Sequence, residues 1–313
     1  MRAYSIFDDF DPQARETMEA AGIELTVHPL GVPRPDDGQM QAILESYDCA
    51  IIGTSQKLHP EMFARIETPK LIATASVGLD HIRVPEAKRG LIRVINTPKA
   101  NAQSVAEYTV GAMLSCVKRL GEGAALYREG RNNKALFRKP EDVAGKTIGV
   151  IGAGNISTRI LEYARLLGMR TLCWTRDPGR HGALLDMGVR FVGLDELAER
   201  SDVISVNLPN CEGTRGIISA PLIERMNPQA VFISVSRLET LDFAALRSKA
   251  AAHRGFYAVL DIDVAPSVVE GVQGLENMIV TPHIAGGTIE TRKRMFRELA
   301  EQIAQDYRRQ TGA

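Results

Sequence analysis

The segment Thr147–Asp177, TIGVIGAGNISTRILEYARLLGMRTLCWTRD, decides the fold. It opens on an apolar run, Thr147 to Ile151, short enough for a buried strand, and Gly152, Ala153 and Gly154 follow as a turn. Ile156, Ile160, Leu161, Ala164 and Leu167 then recur at helical spacing until Gly168, and a second apolar run, Thr171 to Trp174, completes the unit. The pattern predicts strand–helix–strand. In that context the first glycine makes the tight turn and the second lets the backbone approach a pyrophosphate. The helix N-terminus adds unpaired N–H groups and a positive dipole end. The stretch therefore reads as a dinucleotide site, with Gly152, Gly154, Asn155 and Ile156 at the phosphates.

Two details depart from the usual fingerprint. Ser157 occupies the third glycine position, which sets the helix slightly farther from its strand. At the end of the second strand, where an NAD site places a carboxylate on the ribose hydroxyls, Thr175 and Arg176 stand instead. A carboxylate repels a 2′-phosphate, whereas Thr and Arg hydrogen-bond to it and neutralise it. This points to NADP(H) as the preferred cofactor, with NAD(H) possible. The alternative leaves Arg176 in solvent and brings Asp177 to the ribose.

A chain of 313 residues exceeds the usual size of a single core, so two domains are expected. A net charge of +0 argues against nucleic acid or an anionic membrane surface as partner. No apolar run is long enough to span a bilayer, and MRAYSIFDDFDPQ reads as a strand turning into an acidic segment rather than a signal peptide. Cys49, Cys116, Cys173 and Cys211 lie far apart without metal or redox spacing. Three sit in apolar runs, which implies buried free thiols and a cytoplasmic location.

Ala3–Phe7, Ile23–His28, Cys49–Gly53, Leu71–Ala75 and Ile92–Ile95 read as short strands, with helical patterns at Gln13–Ala21 and Gly38–Tyr47. Alternation of this kind implies a parallel sheet covered on both faces. Pro98 ends the last strand, and one long helix is expected from Ser104 towards Arg128. Beyond the opening unit, Val203–Leu208, Val231–Val235, Ala258–Ile262 and Met278–Thr281 read as further strands, with helices at Leu194–Arg200 and Phe243–His253. A final amphipathic helix, Ile289–Arg308, is expected to return to the first domain.

Three places bear chemistry-capable residues. At Ser76-Val77-Gly78 a strand ends in a glycine turn leading to an expected helix, and the backbone N–H groups there suit a carboxylate; a plain turn reads equally well. Arg237 directly follows the apolar strand VFISVS, at the sheet edge where open α/β folds bind ligands. Its fork suits a carboxylate and a carbonyl oxygen together, although a surface Arg at a strand end is the plainer reading. His283 follows Pro282 and precedes Ala285-Gly286-Gly287; it is a proton donor near neutral pH or a structural histidine.

Taken together, TASVGLDHI (Thr74–Ile82), INTPKANAQSVAEYT (Ile95–Thr109), GVIGAGNIS, FISVSR, LDI and TPHIAGGT resemble the D-isomer-specific 2-hydroxyacid dehydrogenases over nearly the whole chain. The resemblance implies an α/β protein of two Rossmann-like or flavodoxin-like domains with parallel sheets. A cofactor domain, 99–284, is inserted in a discontinuous substrate domain, 1–98 and 285–313. It implies hydride transfer between a nicotinamide and C2 of a small 2-oxo or 2-hydroxy acid, and a homodimer joined through the cofactor domain. Val77 and Gly78, next to Ser76, hold the substrate carboxylate; Arg237 polarises the oxo group and His283 exchanges the proton. Further cofactor contacts fall on Thr109, Leu208, Pro209 and Thr214, on Val235 and Ser236, and on Asp261, Ala285 and Gly286.

The chain departs from the family in two places. Leu238 replaces the glycine after Arg237. Where the family pairs its His with a Glu, DIDVAP (Asp261–Pro266) puts Ala265, so His283 is expected to lack the carboxylate that favours the imidazolium. Asp263 and Glu270 are the nearby carboxylates that the sequence does not place. The expected activity is NADPH-dependent reduction of a small 2-oxo acid, of the glyoxylate/hydroxypyruvate reductase kind. The alternative is an NADP(H)-sensing protein of the same fold with weak or no turnover.

Overall fold

The computed structural model describes residues 1–131 and 139–311, so the parts of the expected domains at 132–138 and 312–313 lie outside the described residues. The chain divides into two compact units, Met1–Asn101 with Thr288–Ala313, and Ala102–Gly287.

The first unit begins β1 (Arg2–Ser5), α1 (Pro12–Ala20), β2 (Glu24–Val27), α2 (Asp37–Ser46), β3 (Cys49–Ile52), β4 (Lys70–Thr74) and β5 (Ile92–Ile95). Its sheet has the order β2-β1-β3-β4-β5 and every pairing is parallel. The helices start where the sequence supplies caps. Asp11 accepts from the Ala14 amide ahead of Pro12, and Asp36 forms a capping box with Gln39. Every residue of β3 is buried, as a central parallel strand requires. No helix follows Gly78: the chain bends instead, and Leu58 bridges to Ile82. Buried hydrogen bonds fix that bend, since the Thr74 hydroxyl lies 2.9 Å from both Ser76 Oγ and His81 Nε2.

The second unit begins with α3 (Ala102–Val117) and α4 (Leu120–Arg128), where a single long helix was expected. Arg119 breaks it, with φ at +53°. Its side chain is buried, and Nη1 donates to Glu122 at 3.1 Å and to the Tyr257 hydroxyl at 3.0 Å. A buried guanidinium needs such partners, so the helix turns to reach them. Then come β6 (Thr147–Ile151), α5 (Asn155–Leu166), β7 (Arg170–Trp174), α6 (Gly182–Asp186), β8 (Arg190–Phe191), α7 (Leu194–Arg200) and β9 (Val203–Val206). The unit closes with α8 (Ala220–Arg225), β10 (Val231–Ser234), α9 (Phe243–Ala252), β11 (Tyr257–Ile262), α10 (Pro266–Gly271) and β12 (Met278–Pro282). The sheet order is β12-β11-β10-β9-β6-β7-β8, all parallel. The strand order reverses between β6 and β9, which makes that crevice the place where such a sheet receives a ligand.

Cys49, Cys116 and Cys173 are buried, and burial pushes the Cys116 and Cys173 thiols up to about 12; Cys211 is exposed. Among the described residues no helix is long and apolar enough to cross a membrane.

The last helix, α11 (Ile289–Thr311), belongs to the first unit and packs on α1. Phe296, Leu299, Ala300 and Ile303 form its buried face. The Phe296 ring lies 5.0 Å from Phe7 and 4.7 Å from Phe10, centroid to centroid. Phe296→Ala is expected to lower stability by roughly 3–5 kcal/mol, the cost of a large cavity in a packed core. Chemical denaturation measures it.

Candidate functional site

The dinucleotide end of the second unit is built on the turn after β6. Gly152 has φ at +103°, and a Cβ there would lie 2.6 Å from the Asn207 carbonyl oxygen. No other residue fits that turn. Gly154 is the N-cap of α5 and gives the helix no side-chain cap, so the positive end of the helix dipole meets the glycine turn. Across the switch point, the Leu208 amide donates to Ser236 Oγ at 2.7 Å, which ties the ends of β9 and β10 together. The Thr214 hydroxyl donates to the Pro209 carbonyl at 2.5 Å, and Val235 N to Val206 O at 3.2 Å. Asn207 Oδ1 and Asn210 Oδ1 are buried without a hydrogen-bond partner. Orphaned acceptors of this kind suit a hydrogen-bond donor such as a ligand hydroxyl or amide. Thr109 is buried on α3 and spends its hydroxyl on the Val105 carbonyl. Ser157 is fully buried too, with its hydroxyl unpartnered.

At the end of β7, Arg176 is exposed and folds over the turn at Glu212–Thr214: a Cβ on Gly213 would lie 2.8 Å from its Nη1. The Thr214 hydrogen bond, with the Arg176 charge adding to it, holds the Cys211 thiol below its usual range. Asp177 does not enter this cluster, and pairs with Arg180 at 2.9 Å. The end of β7 therefore presents a guanidinium.

Arg237 and His283 come together at the carboxyl ends of β10 and β12. Arg237 caps a short 3₁₀ turn, Leu238–Thr240, and its carbonyl accepts from the Thr240 amide and hydroxyl. Leu238, where the family has glycine, packs on the core of the unit. His283 takes φ at +53°, a left-handed backbone that a non-glycine residue adopts only when its surroundings impose it. Asp261 imposes it. One carboxylate oxygen accepts from the Thr281 hydroxyl at 2.6 Å and the Ile284 amide at 2.8 Å; the other accepts from the Ala285 amide at 2.8 Å. Tyr108 of α3 completes the chain at 2.6 Å from Thr281 Oγ1, and burial raises its phenol above the usual range. Gly286 follows directly, half-buried.

The carboxylate expected to be missing is present. Asp263 Oδ1 lies 2.8 Å from His283 Nδ1, and Oδ2 lies 3.5 Å from Arg237 Nη1. Ala265, by contrast, sits at the N-cap of α10 with no side-chain hydrogen bond and packs on the core. Arg237 Nη1 is 3.0 Å from Nδ1 and 3.3 Å from Nε2 of the same ring. A guanidinium only donates and a carboxylate only accepts, so Nδ1 serves one of them at a time. The short, charge-assisted contact assigns the Nδ1 proton to Asp263 and leaves Nε2 as the ring's exchangeable position. Aligning prolines cannot find Asp263. Strand register can: β11 pairs with β12 as Asp261↔Thr281 and Ile262↔Pro282, and one step further brings Asp263 beside His283.

In the first unit the candidate carboxylate cradle is held by its neighbours. The Ser76 hydroxyl donates to Gly78 O at 2.8 Å, and Asn96 Nδ2 donates to Val77 O at 2.7 Å. With its carbonyls engaged and Val77 exposed, the bend presents main chain to solvent.

The family model for the D-isomer-specific 2-hydroxyacid dehydrogenase NAD-binding domain matches residues 110–285. A hydroxypyruvate reductase of Thermotoga maritima is 32% identical over 301 residues, covering 95% of each chain. A D-3-phosphoglycerate dehydrogenase of Archaeoglobus fulgidus is 28% identical over 95% of this chain, which spans only 56% of that longer protein. Among solved structures, an acyclic imino acid reductase in complex with NADPH and D-Arg superposes with a TM-score of 0.84 at 26% identity, over 99% of this chain and 98% of that one. The chain belongs to the D-isomer-specific 2-hydroxyacid dehydrogenases, NAD(P)-dependent oxidoreductases of small 2-hydroxy and 2-oxo acids.

Proposed function

We propose that this protein reduces a small 2-oxo acid to a D-2-hydroxy acid with NADPH, as a reductase of the glyoxylate or hydroxypyruvate kind. The convergence of Arg237 and His283 on one edge of the cofactor unit carries the reading. Val77 and Gly78 hold the substrate carboxylate, Arg237 draws electron density onto the oxo oxygen, and His283 delivers the proton from Nε2. When bound, the nicotinamide supplies the hydride. The Gly152 cradle and the first turn of α5 hold the cofactor's phosphates, and Thr175 and Arg176 hold the 2′-phosphate. Mixing the protein with NADPH and a panel of 2-oxo acids, while following nicotinamide absorbance, tests this. Turnover with glyoxylate or hydroxypyruvate is expected. Silence across the panel with NADPH still binding favours a cofactor-sensing protein.

A second reading rests on Asp263, whose side chain is 71% exposed beside Arg237 and His283. A protonated imine carries its proton already, and a neighbouring carboxylate stabilises its charge. That suits reduction of a 2-imino acid, the substrate class named for the imino acid reductase. Adding an amine to the same panel distinguishes the two: a rate that rises with amine concentration selects the imine.

Arg176→Ala is expected to weaken NADPH binding by roughly 1.5–3 kcal/mol, the loss of a charge-assisted hydrogen bond, and to leave NADH nearly unchanged. Fluorescence titration measures both, and equal losses remove the phosphate assignment. The proposal includes a homodimer through the cofactor unit. Helix α4 buries none of its residues and exposes Leu120 at 62% and Tyr127 at 80%. Light scattering is expected to give twice the 34.2 kDa chain mass.

A further inference from the structure

We propose that Asp263 is the positioning carboxylate of the acid–base pair, moved from the family's place at Ala265 to the end of β11. It fixes the His283 ring with Nδ1–H towards itself and also lies within 3.5 Å of Arg237 Nη1. The inference deepens the reductase reading and rests on it for the proton transfer.

Strand geometry makes the relocation possible. Asp261 lies near the end of β11 and Asp263 one residue past it, and both carboxylates reach the end of β12 and its turn. Asp261 spends its oxygens on the turn that carries His283, accepting from Thr281, Ile284 and Ala285. Asp263, next in register, meets the ring itself at 2.8 Å. A direct cross-strand neighbour needs only a short side chain. A carboxylate two residues later, on the far side of the turn into α10, needs the longer reach of Glu. The sequence has the aspartate at one place and an alanine at the other, as this geometry requires.

Among the described residues, the charged and titratable groups facing the ring or its turn are Arg237 from the loop after β10, Asp261 from β11, Asp263 directly after it, and Tyr108 from α3 through Thr281. Of these, Asp263 is the carboxylate that touches the ring. Its second oxygen lies 3.5 Å from Arg237 Nη1, so it contacts the proton donor and the polarising group together. The three side chains are 71%, 39% and 26% exposed for Asp263, His283 and Arg237. Exposed pairs of this kind contribute little to stability. The role of Asp263 is therefore to orient the ring.

Nitrogen-15 labelling of the imidazoles in the full chain, read by two-bond proton–nitrogen correlation, reports the tautomer without any substrate. His283→Asn identifies the His283 signal by its loss. The neutral ring is expected as the Nδ1–H form, and Asp263→Asn is expected to abolish that bias while leaving the thermal midpoint unchanged. In NADPH-dependent reduction, Asp263→Asn is expected to lower kcat roughly tenfold or more, within the range that general acids supply. NADPH affinity is expected to hold. Asp263→Asn added to His283→Asn is expected to change kcat by less than about twofold, since the first acts through the second. An unchanged tautomer in Asp263→Asn, or fully additive losses in the double variant, overturns the proposal. A wild-type protein that reduces no 2-oxo or 2-imino acid removes the reductase reading and leaves the tautomer to decide the role of Asp263.

Discussion

The turn at the end of β12 depends on one buried carboxylate. Asp261 accepts three hydrogen bonds from that turn, two of them from the amides that follow His283. Without an acceptor those donors would each lose a hydrogen bond, at about 1–3 kcal/mol for a buried group. That is comparable to the cost of holding a non-glycine residue in the left-handed region, roughly 1–3 kcal/mol. The strained backbone at His283 is thus compensated locally, and the ring is aimed before any ligand arrives. Preorganisation of this kind suits the proton-donor role proposed for His283.

The same reasoning explains which parts were legible in the sequence. Strands such as Thr147–Ile151 announce themselves as short apolar runs, and the glycines after β6 mean something only because the strand and helix around them are readable. That both sheets are parallel follows from the alternation of strands and helices. Two features were hidden because they are settled by residues distant in sequence. Arg119 breaks the helix to reach Tyr257, which lies on β11. Asp263 finds His283 through the pairing of β11 with β12, whereas motif alignment by the proline pointed to Ala265. The bend after Gly78 belongs with them, since Thr74, Ser76 and His81 hydrogen-bond across it where a helix was expected.

At the cofactor end the chemistry is set by sign of charge. A carboxylate at the end of β7 would oppose a 2′-phosphate, but Asp177 is paired with Arg180. Arg176 lies instead over the Glu212–Thr214 turn, and its charge adds to the Thr214 hydrogen bond on the Cys211 thiol. Gly213 allows that approach, because any side chain there would meet the guanidinium. The NADPH proposal rests on that one physical reason, the sign of the charge at this turn.

The relocated carboxylate also changes the electrostatics of the proposed proton donor. With His283 neutral, Arg237 and Asp263 balance and the trio carries no net charge; with His283 protonated it carries one positive charge. An anionic 2-oxo acid is attracted most to the form that also holds the proton for transfer. The same protonated form therefore serves both substrate capture and proton delivery in the proposed mechanism. A partner placed on the ring alone, out of reach of Arg237, would leave more positive charge facing the substrate after deprotonation. In the proposed mechanism, the position of Asp263 within reach of both groups would tie substrate binding to the proton.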